Sequence, residues 1–279
     1  MNNATATLQI LLAQSKFKNA LWSFLPSSLS RDEKNFEKIP IRTLSFNMMW
    51  LMVMHYSWFI PILKKYSLEM QNAILSLLPI HLSRKISAIL SETSISPSKL
   101  SNFAAFFLLS DLERKLRPRT LLDEAFLPSS SLNVLLYLPS SQIKALIDIL
   151  GLYDLANEIK TIVDKNLILK IENMLSQKQL LFLNHCIKNP LKYVSTTHQE
   201  LKEWNGTKKI FQYIMHRKGL SLLARSIANE NTSFIWYLLR RMDTGRASYI
   251  EKDLKKENIK ENSTYFKNQL IYCIKVLTK

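Results

Sequence analysis

The chain has 279 residues and sets 38 Lys and Arg against 22 Asp and Glu, a formal charge of +16. Hydrophobic residues make up 47%, enough for a sizeable core in one or two domains. Only four glycines occur, which argues against a turn-rich β fold and excludes a glycine-rich phosphate loop, and the two cysteines, Cys186 and Cys273, give no disulfide framework.

Ala6 to Phe24 reads as a helix with apolar positions Leu8, Leu11, Leu12 and Leu21, broken at Pro26. Residues 30–40 are charged and read as a surface loop or short helix. Residues 44–63 carry no charged side chain. They are long enough to span a bilayer, but Asn47, His55, Ser57 and Pro61 fit a buried core helix ending at Pro61 better. A helix from Leu68 to Leu78 ends at Pro79. Another, Ser83 to Leu90, places Ile86, Ile89 and Leu90 on one face. Ser96-Pro97 is a helix-start signal, followed by Leu100, Phe103, Ala104, Phe107 and Leu108 at helical spacing. Arg117-Pro118 ends that helix. The serine- and proline-punctuated stretch 119–131 is the preferred boundary between an N-terminal helical subdomain, 1–127, and a C-terminal one, 128–279.

In the second half, Ser140 or Ser141 starts a helix carrying Ile143, Leu146, Ile147 and Leu150, which Gly151 is expected to stop. Helices over 154–163, 167–175 and 176–187 follow. Lys208 to Lys218 presents Phe211, Ile214 and Met215, with Gly219 expected as its C-cap and a new helix after it. Residues 233–242 are apolar nearly all round and read as buried, with Gly245 as a second C-cap candidate. Leu270, Ile271, Ile274 and Leu277 mark a terminal docking helix. Leu25-Pro26, Leu78-Pro79 and Leu138-Pro139 each close a helix before a serine-started one. Stacked helical hairpins produce that pattern, and so does ordinary helix punctuation. The fold class is all-α and multi-helical.

No nucleophile elbow or H-E-x-x-H motif occurs. His185-Cys186 is the one tempting metal pair, but neighbours on a helix diverge by about 100° and chelate poorly. The acidic pairs Asp111/Glu113, Asp123/Glu124 and Asp154/Glu158 stand beside Lys or Arg, as a solvated helix face does. No enzyme activity, cofactor or metal is expected. The densest candidate signal is Trp204, Arg217, Arg225, Trp236, Arg240, Arg241, Asp243 and Arg246. Trp and Arg are enriched at interface hot spots, and arginine forks pair with partner carboxylates. The alternative for the tryptophans is core. The charge of +16 leaves open a second reading, a basic helical protein that binds nucleic acid or an acidic surface.

LPSSQIKALIDILGLYDLANEIKTIVDKNLILKIENMLS (138–176) and RKGLSLLARSIANENTSFIWYLLRRMDTGRA (217–247) resemble the SctK/YscK-like accessory proteins of bacterial type III secretion, in a divergent, chlamydial-type form. The Leu-Pro punctuation is similar to the helical repeats of the flagellar rotor protein FliG. The first resemblance implies a non-enzymatic sorting-platform component without a cofactor. It would link the cytoplasmic domain of the inner-membrane ring to the SctQ-like pod. The protein would then be cytoplasmic and peripheral to the inner membrane.

Overall fold

A computed structural model of the chain describes residues 51, 53–90, 100–160, 162–188, 201, 204 and 206–277, apart from the side chains of 102 and 103. Among these residues the fold is all-α, with eleven α-helices and no strand. The first four are α1 (Ile60–Leu63), α2 (Leu68–Leu77), α3 (Ile80–Leu90) and α4 (Asn102–Leu116). Then come α5 (Ser140–Ile159), α6 (Lys165–Met174) and α7 (Gln177–Lys188). The last four are α8 (Lys208–Ile227), α9 (Thr232–Arg240), α10 (Thr244–Leu254) and α11 (Ser263–Leu277). Short 3-10 turns cover Tyr56–Trp58, Glu124–Phe126, Asn133–Leu136 and Glu257–Lys260.

Local chemistry sets most helix starts. Ser67, Ser101, Asp164, Asn231 and Asp243 each accept a hydrogen bond from a backbone N–H in the first turn that follows. Ser176 and Gln179 form a reciprocal capping box: the Ser176 N–H donates to the Gln179 carbonyl at 2.9 Å, and the Gln179 N–H donates to Ser176 Oγ at 3.4 Å.

The two 20-residue helices α5 and α8 form the centre. α8 also packs on α10 and α11, and α5 on α7 and α11. The centre is built on two glycines. A Cβ placed on Gly151 would fall 2.1 Å from the carbonyl oxygen of Met215. One on Gly219 would fall 1.9 Å from that of Ile147. Backbone therefore lies directly on backbone, and only glycine fits on either side of the crossing.

Both glycines had been expected to end helices, and both instead lie inside one. The segment 140–150 and the first part of 154–163 fuse into α5, which ends at Ile159, and the segments on either side of Gly219 fuse into α8. Gly245 is also not a C-cap: it lies in the first turn of α10, donating its N–H to Asp243 at 3.1 Å. Pro61 does not end a helix but sits in the first turn of α1, where its missing N–H costs nothing. Residues 44–50 lie outside the described residues, as do the expected helix at 6–24, the segment 30–40, Leu25-Pro26 and Ser96-Pro97. Leu100 precedes the helix it was grouped with, because Ser101 supplies the cap of α4. Ile89 points outward, while Leu82 and Ile86 face the core. Pro79 and Pro139 each accept the first two backbone hydrogen bonds of the helix that follows. The helix after Pro79 starts at Ile80 rather than at a serine.

The Asp154/Glu158 pair is not a solvated face. The Glu158 side chain is 2% exposed and lies 2.7 Å from Lys218 Nζ, itself 4% exposed, with Asp154 at 3.5 Å from the same nitrogen. The close crossing of α5 and α8 carries these charges inward together.

Candidate functional site

The predicted contact residues fall into distinct surroundings. Trp204 is buried against Phe211 and donates its indole N–H to the Thr207 carbonyl at 2.9 Å, so it is core and not a surface contact. Arg217 lies over the rings of Tyr213 and Tyr249, and Arg225 over that of Phe266. Trp236, Arg240 and Arg241 do come together. The Arg240 guanidinium sits 3.6 Å from the Trp58 ring centroid and 4.9 Å from that of Trp236. Burial lowers its pKa, and Glu251 at 3.7 Å works against that shift. Arg241 donates to the Leu138 carbonyl at 2.8 Å. These two arginines stitch the fold. Around them the His55 N–H donates to the Arg240 carbonyl at 2.8 Å, Trp58 Nε1 donates to the Met242 carbonyl at 2.9 Å, and the Thr244 N–H donates to Ser57 Oγ at 3.1 Å.

Asp243 and Arg246 are also adjacent. Asp243 caps α10 and pairs with the Arg246 guanidinium. Burial raises the Asp243 pKa, but the Arg246 N–H and guanidinium outweigh it and the net shift is downward. Arg246 Nε donates at 2.8 Å to His216 Nε2, whose Nδ1 is 2.6 Å from Asp148. Arginine only donates, so Nε2 accepts and Nδ1 carries the proton towards Asp148. This Asp-His pair resembles the orienting half of a hydrolytic triad. The nitrogen a general base would use is held by Arg246, and the surrounding cleft of about 410 Å³ has no Ser, Thr or Cys among its described lining residues. The arrangement fixes α5, α8 and α10 to one another.

A second cleft, of about 600 Å³, opens between α5, α7 and α11. His185 and Tyr272 stand at its rim with their rings 12° from parallel and centroids 6.4 Å apart. Tyr153 and Gln269, each 3% exposed, form its floor with Cys186. Among the described residues neither Gln269 Oε1 nor Nε2 has a hydrogen-bond partner, and neither does the Tyr153 hydroxyl. Burial raises the pKa of Tyr153 and pushes the Cys186 thiol up to about 11, so both are neutral near pH 7. No group of three or more His, Cys, Asp or Glu among the described residues could hold a metal ion.

A third feature is a surface. On the segment 122–137, Leu132, Leu135 and Leu136 are buried as anchors, while Leu122, Phe126, Val134 and Tyr137 are presented outward. Phe126 is 69% and Tyr137 74% exposed. The segment is tied to α9: the Leu122 N–H donates to Ser233 Oγ at 3.1 Å, and Tyr237 OH donates to the Leu122 carbonyl at 3.0 Å.

The chain matches no family model, no curated protein and no solved structure. Its candidate sites therefore rest on chemistry alone. Two of them escaped the sequence reading. Tyr265, Gln269 and Tyr272 recur at i, i+4 and i+7 on α11, and a glutamine on the face between Phe266 and Cys273 was the available signal. Residues 119–131 read as a domain boundary because Pro128 and three serines punctuate them, and 132–137 gave no signal. Alternating anchors and exposed aromatics within 3-10 turns leave no helical period to detect.

Proposed function

We propose that this protein is a helical adaptor that binds protein partners through the apolar face of residues 122–137. The observation that supports this is a set of large apolar side chains held outward on a segment pinned to the fold. Soluble monomers seldom expose extended apolar patches, and association with a partner is one of the main uses of such patches. The resemblance of 138–176 and 217–247 to SctK/YscK-like proteins suggests the setting: a type III secretion sorting platform, with the inner-ring cytoplasmic domain and the SctQ-like protein as partners. Among the described residues no helix is long and apolar enough to cross a membrane. The test is co-purification of the full chain with each of those two proteins, repeated with Phe126→Asp and Tyr137→Asp. Capture of one partner, lost in both variants, is expected. Capture of neither removes the secretion assignment, and capture unaffected by the two substitutions removes this surface.

The charge of +16 supports a second reading, binding to nucleic acid or another acidic surface. Such binding weakens steeply as salt rises. Absence of nucleic-acid binding at low salt would remove the nucleic-acid form of it.

A further inference from the structure

The cleft between α5, α7 and α11 combines two independent features. The first is aromatic: the rings of His185 and Tyr272 lie nearly parallel at 6.4 Å on its rim. Both side chains are exposed, and a planar ring between them needs roughly 7 Å from plane to plane, so the two rings part to that spacing or the guest stacks on one of them. The second is polar. Gln269 is buried on the floor with its amide oxygen and amide nitrogen both unpartnered among the described residues. Buried amides are almost always hydrogen-bonded, so an orphaned one calls for a missing partner. A glutamine amide presents an acceptor beside a donor and reads an edge with the complementary pair, as it does on adenine. The Tyr153 hydroxyl, also buried and unpartnered, adds one more donor and acceptor on the same floor. The volume, about 600 Å³, suits a small molecule.

We propose that this cleft binds a planar nitrogen heterocycle of nucleobase type, stacked at the His185–Tyr272 rim and read at its edge by Gln269. Aromatic rim and amide floor together select this chemistry. A purely apolar ring would leave the amide orphaned, and an aliphatic amide would forgo the stacking. Binding is non-covalent and requires no charged group. The base comes either as a free nucleoside or as part of a single strand. The site uses none of the residues on 122–137, so it stands apart from the adaptor surface.

The experiment is ligand-observed NMR on the full chain with adenosine, guanosine, cytidine and uridine, and in parallel with a short single-stranded oligonucleotide. Wild type, Gln269→Leu and Tyr272→Ala are compared. At least one nucleoside is expected to saturate with a Kd between about 1 μM and 1 mM. Gln269→Leu should weaken it at least tenfold, and Tyr272→Ala should weaken it as well. Tyr272 is exposed at the rim, so its variant tests the site without entering the core. Binding of the oligonucleotide alone, sensitive to both variants, sustains the proposal and assigns the base to a single strand. No saturation by any probe overturns it. So does binding that neither substitution changes.

Discussion

Replacing Gly151 with alanine tests the centre of the fold. In an ordinary helix interior the change stabilises by about 1 kcal/mol, because alanine is the better helix former. Here the added methyl would sit 2.1 Å from the Met215 carbonyl oxygen, well inside the 3.0 Å that Cβ contacts respect. The obstacle is backbone, which no side-chain rotation moves, so α5 and α8 must part by roughly 1 Å. A gap of that size forfeits a quarter to a half of each affected dispersion contact. Overpacking of this kind costs about 1–3 kcal/mol. With the clash at the upper end and the propensity gain subtracted, the net loss is about 2 kcal/mol. In a chain of this size that corresponds to a Tm lower by roughly 3–4 °C. Urea unfolding followed by far-UV circular dichroism measures the loss, and calorimetry the Tm. Gly245→Ala is the control: its Cβ would meet only the Asp243 side chain, at 3.1 Å. The double variant Gly151→Ala/Gly219→Ala should lose less than the sum of the singles, because the first methyl already opens the crossing for the second. A Gly151→Ala protein as stable as wild type, or more so, refutes the close crossing.

Other consequences follow from the same packing. Lys218→Met removes the ammonium set beside the carboxylates of Asp154 and Glu158 in the interior and is expected to cost about 3–5 kcal/mol, with Glu158→Gln in the same chain restoring part of it; a loss too small to detect by urea titration would mean Lys218 does not hold those charges. Gln269→Leu removes an orphaned buried amide and should raise stability by about 1 kcal/mol in the absence of ligand; a lower thermal midpoint would show that the amide has a partner. Asp111 is held well below the usual carboxylate range, first by Lys115 and then by the Tyr66 hydroxyl and Arg114. A carboxylate with a depressed folded pKa contributes fully above its unfolded value, near 3.8, and loses that contribution as pH falls towards the folded value. Lys115 and Arg114 are largely exposed, so solvent screening keeps the contribution below about 1 kcal/mol. The stability gap between wild type and Asp111→Asn should therefore be present at pH 7 and narrow below pH 3.8; a gap unchanged on acidification would rule the interaction out as its source.

The helices were legible because their causes are local. Apolar spacing, serine and aspartate caps and proline breaks act within a few residues, and α2, α7 and α11 fall where those signals place them. The glycines were misread for a physical reason. A glycine that ends a helix and one that admits a neighbouring helix are identical in one dimension, and only the partner, more than sixty residues away, separates Gly151 from a C-cap. The carboxylates of Asp154 and Glu158 failed in the same way, since nothing near them in the chain reveals that Lys218 faces them. Among the predicted contact residues, Asp243 with Arg246 could be read from their spacing of three on one helix start. The burial of Arg240 could not, because Trp58 lies at the other end of the described chain.

The Arg240 sandwich also has a mechanical meaning. The 55–58 turn follows directly on the buried side chains of Leu51 and Met54 and meets tension applied ahead of it. There, three hydrogen bonds and the Arg240–Trp58 ring contact tie the turn to residues 240–244, the junction of α9 and α10, while the Trp236 ring holds Arg240 from within α9. The turn also rests on α1 and α3, so force applied on its N-terminal side would arrive among the C-terminal helices as well as in those two. A protein that bridges larger partners under strain would gain from such a route.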